Sequence, residues 1–224
     1  AFCWMGRAKD SLLIESVDAF LASKRARRIQ GFYGRDSYHD DWLKPIELSP
    51  FDAYFTDSER FDRYTLTALA YVESRFRSDI VSPAGAVGVM QLIPNTASRL
   101  GIEPHQLYEP KRNIQAGLKY LRFLDQYWKQ RGVPAENRLP FILASYNTGP
   151  TPIARAADQA AKKGWDPTFW SGHVDQVAKG PGAHYARKTL RLATFYRGYV
   201  EAIRRAEAPD PASNQWLSYL DEGS

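Results

Sequence analysis

Ala68-Leu-Ala-Tyr-Val-Glu73-Ser74-Arg-Phe76, followed by Ser82-Pro-Ala-Gly85-Ala-Val-Gly88-Val-Met90-Gln91-Leu92, is the stretch that decides how this chain reads. The first part is an apolar helix that ends on a single carboxylate. The second is a glycine-rich turn that folds back under it. From Ile80 to Ile102 there is no Asp or Glu. A carboxyl held against an apolar wall is desolvated, and desolvation disfavours its charged form. Such a group can still carry a proton near neutral pH and donate it to a reacting oxygen. On the helix alone, Glu73 would read as an exposed carboxylate, because most glutamates lie at the surface. The acid-free, glycine-rich segment after it shifts the balance.

Working outward, the pattern from Ser49 onward is helix after helix. Ser49-Pro50 reads as a cap with proline at the first helical position, opening a short helix to about Glu59. A second helix runs from about Asp62 to Ser74, with Leu66, Leu69, Ala70 and Glu73 on adjoining faces. Asn95 is placed as the cap of Thr96 to Leu100. Asn113 to Gln130 is the strongest helix, with Ile114, Leu118, Leu121, Leu124 and Trp128 at helical spacing and Gly132 after its end. Leu139 to Tyr146 forms another and breaks at Asn147-Thr148-Gly149-Pro150. Thr151-Pro152 opens a short Ala-rich helix to about Lys163, residues 164–182 read as a structured loop, and a long helix from about Ala183 to Ala206 closes the domain. Only Val87 to Ile93 has strand character, so a small β-ribbon is expected near residues 87–93. The fold class is mainly α.

The bulk composition is that of an ordinary globular protein. Of 224 residues, 44% are hydrophobic and 25% charged, enough for one sizeable domain with an appendage. No apolar run approaches the roughly 18 residues that span a bilayer. The formal net charge of +5 favours an anionic partner. Five of the cations, Lys24, Arg25, Arg27, Arg28 and Arg35, crowd together, and a solvated helix end accounts for them better than a nucleic-acid site. Cys3 is the only cysteine, which excludes an intrachain disulfide. His39, His105, His173 and His184 are far apart, with no metal-ligand spacing. No metal, no cofactor and no nucleic-acid partner is expected.

Several ordered blocks resemble the soluble lytic transglycosylase (SLT) catalytic domain family, lysozyme-like enzymes that cleave peptidoglycan. Glu73-Ser74 with Phe76 matches the family's acid motif. Ser82, Gly85, Ala86, Gly88, Met90, Gln91, Leu92, Pro94 and Thr96-Ala97 match its Gly-Met-Gln motif. Asn113-Ile-Gln-Ala-Gly117-Leu-Lys-Tyr120-Leu121 matches the next helix of the family. Ala144-Ser-Tyr146-Asn147-Thr-Gly149 matches the Ala-Tyr-Asn-Ala-Gly block, and His184-Tyr185-Ala-Arg-Lys188 sits where the family has a Tyr-Val motif. Here Ala186 replaces the valine, and Gly180-Pro-Gly-Ala183 lacks the family's usual acidic residue. The segment Trp4 to about Phe32 resembles the end of the solute-binding module that precedes the catalytic domain in membrane-bound lytic transglycosylase F.

The resemblance implies an α+β lysozyme-like domain, with residues 1–48 as an N-terminal helix and linker, 49–206 as the catalytic domain and 207–224 as a tail. It implies cleavage of the β-1,4 bond between N-acetylmuramic acid and N-acetylglucosamine, with Glu73 as acid and then base. Most glycosidases use two carboxylates, but substrate-assisted enzymes need one. In this family the muramic acid C6 hydroxyl attacks its own C1 and leaves a 1,6-anhydro sugar. Asp79 reads either as a second acid or as a turn residue before Ser82-Pro83.

The other positions each carry two readings. Ser82 orients Glu73 or binds an N-acetyl group, or it caps a turn. Gly88 brings backbone close to a sugar, or serves a tight turn. Met90 lines a subsite or fills core. Gln91 binds sugar hydroxyl and amide groups, or is a solvated ribbon residue. Tyr146 and Asn147 hydrogen-bond substrate and acid, or are a buried aromatic and a left-handed helix stop. Tyr185 contacts Glu73 or substrate, or is a core aromatic. Trp165, Phe169 and Trp170 form a sugar platform or, preferably, a hydrophobic plug.

Expected partners are peptidoglycan strands, for a monomer in the periplasm or cell envelope. Because the chain opens Ala1-Phe-Cys3, it is expected to lack its natural start, and membrane, including outer-membrane, association is expected through that missing region. The rival readings are a hydrolytic muramidase on the same fold and a catalytically silent peptidoglycan-binding module.

Overall fold

The computed structural model describes residues 46–55 and 60–207. The expected N-terminal helix and linker of residues 1–45, the basic cluster, Cys3 and the C-terminal tail lie outside the described residues. The chain divides into two compact units, one of residues 47–198 and one of residues 1–46 and 199–224. Candidate positions 73–185 all belong to the former.

That unit is built from α1 (Arg63–Ser74), α2 (Pro94–Arg99), α3 (Pro110–Gln130), α4 (Arg138–Thr148), α5 (Pro150–Lys162), a one-turn α6 (Asp175–Val177), and α7, which begins here and runs Pro181–Glu207. The mainly α class holds. Four helices start on proline, at Pro94, Pro110, Pro150 and Pro181, and so begin earlier than the sequence reading places them. Proline suits the first helical position, because its missing N–H would have had no partner there. By contrast, Ser49-Pro50 opens only a 3₁₀ turn at Asp52–Tyr54. Ser49 Oγ is drawn into a local bond to Asp52 Oδ1 at 2.5 Å, and Asp52 also holds the Arg63 guanidinium.

The expected β-ribbon is reduced, among the described residues, to two isolated antiparallel bridges, Val81 with Val87 and Val87 with Leu92. Positive φ at Gly85, Gly88 and Gln91 accounts for this. An extended pair cannot propagate through left-handed residues.

α4 is the centre of the unit. Phe141, Ile142, Leu143, Ala144, Ser145 and Tyr146 are all buried, as expected of a helix packed on every side. α3 covers it with Ile114, Leu121, Leu124 and Trp128, and α5 covers it with Ile153, Ala157 and Ala160. Ser145, the polar interruption in this run, accepts the Trp128 indole N–H at 3.0 Å, which satisfies both buried groups. Residues 164–182 carry a kinked turn at Trp170–Val174 and then α6. Trp165 and Trp170 pack on the core, Trp170 edge-on to Phe141, while Phe169 is exposed. The plug reading therefore holds for the two tryptophans.

α1 is capped by Asp62, whose Oδ1 accepts the Thr65 N–H at 2.7 Å, and the same carboxylate pairs with Arg197. Asp62→Ala is expected to lower unfolding free energy by about 1 kcal/mol, read as a shift of the urea midpoint at constant slope.

Candidate active site

Glu73 sits one turn beyond Leu69 and Ala70, both buried, so the stripe that anchors α1 carries the carboxyl to the edge of the core. The helix then stops abruptly. Arg75 and Phe76 both adopt left-handed φ, at 53° and 64°, and the Arg75 N–H returns to Tyr71 O at 2.9 Å. Two successive non-glycine residues in this region store strain of about 1–3 kcal/mol each. The strained pair redirects the chain directly after the acid, and Phe76 folds edge-on against Tyr71.

Among the described residues, one side chain hydrogen-bonds the carboxyl. The Tyr185 hydroxyl, from α7, donates to Glu73 Oε1 at 2.5 Å. Glu73 Oε2 takes no hydrogen bond from the described residues. Burial raises the Glu73 pKa from 4.5 to about 7, and the Tyr185 hydrogen bond opposes that rise. Tyr146 and Tyr185 are phenols pushed well above their usual range, mainly by burial and further by the charge of Glu73. Both stay neutral donors beside the acid. Asp79 is exposed and pairs with Arg77 at 3.7 Å.

The glycine-rich loop that follows α1 is held by Asn113, buried on α3. Its Oδ1 accepts the Met90 N–H at 2.7 Å, and its Nδ2 donates to Val87 O at 2.8 Å and Leu107 O at 2.9 Å. All three amide positions in use leave the side chain no freedom. Gly88 lies directly over it. A Cβ there would fall 2.5 Å from Asn113 Nδ2, and φ is +75°, so both contact and conformation demand glycine. The Met90 side chain is fully buried against Gly117 of α3, where a Cβ would meet Met90 Cε at 2.6 Å.

The remaining candidates fall into place around this pin. The Tyr146 hydroxyl donates to Met90 O at 2.8 Å rather than to Glu73, so it fixes the loop to the end of α4. Gln91, left-handed at φ 46°, turns its amide back on the loop, donating to Gly88 O at 2.9 Å. Ser82 Oγ accepts the Ala86 N–H at 3.0 Å, an internal turn cap. Asn147 lies inside α4, not at a left-handed stop. Its side chain is exposed and makes no hydrogen bond to the described residues. The structure thus joins Glu73 to Tyr185, and joins Gly88, Met90, Gln91 and Tyr146 in one loop assembly.

Residues 54–168, about half of the chain, match the family described as the transglycosylase SLT domain. The chain belongs to that family. It is 34% identical over 166 residues to a membrane-bound lytic murein transglycosylase F of Cronobacter sakazakii, covering 71% of this chain and 30% of that protein. It is 31% identical over 126 residues to the protein of the same name from Pseudomonas fluorescens, covering 55% of this chain and 25% of that one. The chain therefore spans less than a third of the length of these relatives. Among solved structures it resembles the 70 kDa soluble lytic transglycosylase of Escherichia coli, with TM-score 0.56 and 24% identity over 69% of this chain and 25% of that one. That likeness is one of fold, and the fold is lysozyme-like and helical.

Asn113 shapes the loop assembly, a role the sequence reading does not give it: there it is a helix start and the first residue of a family block. The signal that could reveal it is an amide on the apolar stripe of Ile114, Gly117 and Leu121, a place where a polar group needs buried partners.

The pin and the acid are each testable by stability. Asn113→Ala removes three buried bonds and is expected to cost about 2–4 kcal/mol, measured by urea unfolding. For Glu73, the fold favours the protonated carboxyl, so ionisation withdraws stability as pH rises from 4.5 through about 7. Glu73→Gln keeps the shape and escapes this, so it should match the parent near pH 4 and exceed it by about 3 kcal/mol above about pH 8. Equal melting temperatures at the higher pH would contradict the burial of this group.

Proposed function

We propose that this domain is a peptidoglycan lytic transglycosylase with Glu73 as its single acid and base. The observation that carries the reading is the Glu73 carboxyl itself, half-buried, with a pKa raised to about 7 and one oxygen held by Tyr185. A carboxyl titrating there is protonated enough to donate and, once ionised, basic enough to take a proton back. The family membership and the names of the relatives point the same way.

The steps balance with the substrate as nucleophile. Glu73 gives its proton to the glycosidic oxygen, and the bond from that oxygen to muramic acid C1 breaks. Charge develops at C1, and the C6 hydroxyl of the same sugar closes on it. Its proton passes to Glu73, which restores the acid. The product is a 1,6-anhydro end, and no water is consumed. The exposed position of Asp79 and its pairing with Arg77 weigh against a second carboxylate guiding water. Ser82, Gly88, Met90, Gln91, Tyr146 and Asn147 line or shape the substrate side of this acid. Tyr185 positions the carboxyl from behind. The site works on glycan strands in the cell envelope, and the relatives named membrane-bound support a place of action at the membrane surface. The domain limits 49–206 for the catalytic part fit this proposal.

Mass analysis of digested peptidoglycan tests the product. Anhydro-muramic ends are expected, while reducing ends would replace this reading with the hydrolytic one and no release with the binding module. Glu73→Gln should lower turnover on the order of 1,000-fold. Because the donor must be protonated, the rate should fall as pH rises above about 7. Tyr185→Phe removes the bond that lowers the Glu73 pKa, so it should move that alkaline limb upward.

A further inference from the structure

A row of aromatic side chains leads away from the loop assembly along α3. Tyr146, whose hydroxyl is bound to Met90 O, packs its ring on Tyr120 at 5.2 Å. Tyr120 in turn lies parallel to Phe123, with ring centroids 6.1 Å apart and planes within 11°. Gly117, which seats the Met90 side chain, Tyr120 and Phe123 succeed one another at three-residue spacing, one face of a helix. The row is therefore continuous with the Met90–Tyr146 end of the candidate active site.

Its chemistry changes along its length. Tyr146 is buried, Tyr120 is half-buried, and Phe123 is 49% exposed. A parallel aromatic pair open to solvent on one side presents a flat apolar surface. The Tyr120 hydroxyl makes no hydrogen bond to the described residues, and burial pushes its pKa up, so it remains a neutral donor beside Phe123. A flat apolar face beside an unused hydroxyl donor fits a pyranose ring, which has an apolar C–H face and a rim of hydroxyl and amide groups.

We propose that Tyr120 and Phe123 form a saccharide subsite that stacks on a sugar ring of the same strand whose glycosidic oxygen Glu73 protonates. The proposal rests on the peptidoglycan reading above and adds where the strand runs, from the acid past Tyr146 and outward along α3. Phe123 supplies the stacking face, and Tyr120 supplies both ring and hydroxyl. Neither touches the reacting atoms, so both act by binding and positioning.

The test uses peptide-free glycan strands as the probe, with binding measured on the full chain carrying Glu73→Gln and cleavage measured on the parent. Phe123→Ala added to Glu73→Gln is expected to weaken binding about tenfold, and Tyr120→Phe to weaken it by a smaller factor. In the active protein, Phe123→Ala should raise KM with kcat nearly unchanged, and its melting temperature should stay at the parent value because the side chain is exposed. Unaltered binding and KM in a chain that still cleaves peptidoglycan would overturn the subsite while leaving the acid mechanism intact. A lowered kcat at unchanged KM would also overturn it. If the parent neither binds nor cleaves the strands, both proposals fall.

Discussion

Asn113 accepts from Met90 N and donates to Val87 O and Leu107 O from a fully buried position. A glycine-rich loop has little side-chain surface of its own to hold it, and its backbone groups need partners when they leave solvent. Asn113 supplies those partners from the rigid body of α3. Gly88 keeps the approach open, and Tyr146 ties Met90 O from the other side. This loop therefore takes its shape from two helices, although its own residues form no regular strand.

The acid depends on a different kind of restraint. Glu73 gains its raised pKa from burial at the edge of the core, and it would lose that burial if α1 frayed or rotated. Asp62 fixes the start of α1, and the left-handed pair Arg75-Phe76 fixes its end. Tyr185 then crosses from α7 to hold one carboxyl oxygen. The hydrogen bond lowers the pKa while burial raises it, and burial is the larger effect. The balance near neutrality is a product of tertiary packing, since the helix sequence alone leaves a surface glutamate.

Much of the fold is legible in the sequence because helical periodicity is a local signal. Ile114, Leu121, Leu124 and Trp128 share one face by spacing, and all are buried. Helix starts are less legible, because Asn95, Asn113 and Thr151 read as caps or first residues where Pro94, Pro110 and Pro150 open the helices. The strand character of Val87–Ile93 is real in residue type but is lost to left-handed backbone at Gly88 and Gln91. The left-handed turn at Gln91 carries no signal, since glutamine has no preference for it.

By itself, the sequence determined the helical class, the family blocks and the identity of Glu73 as the isolated carboxyl, because spacing and residue type are written along the chain. Only the tertiary structure decided which phenol meets that carboxyl. Tyr185 lies 112 positions from Glu73, while Tyr146, the closer candidate in sequence, turns to Met90 O. It also decided that Asn113 serves the loop and that Tyr120 and Phe123 extend from Tyr146. Those assignments depend on how helices pack across the core, where distance along the chain carries no information about distance in space.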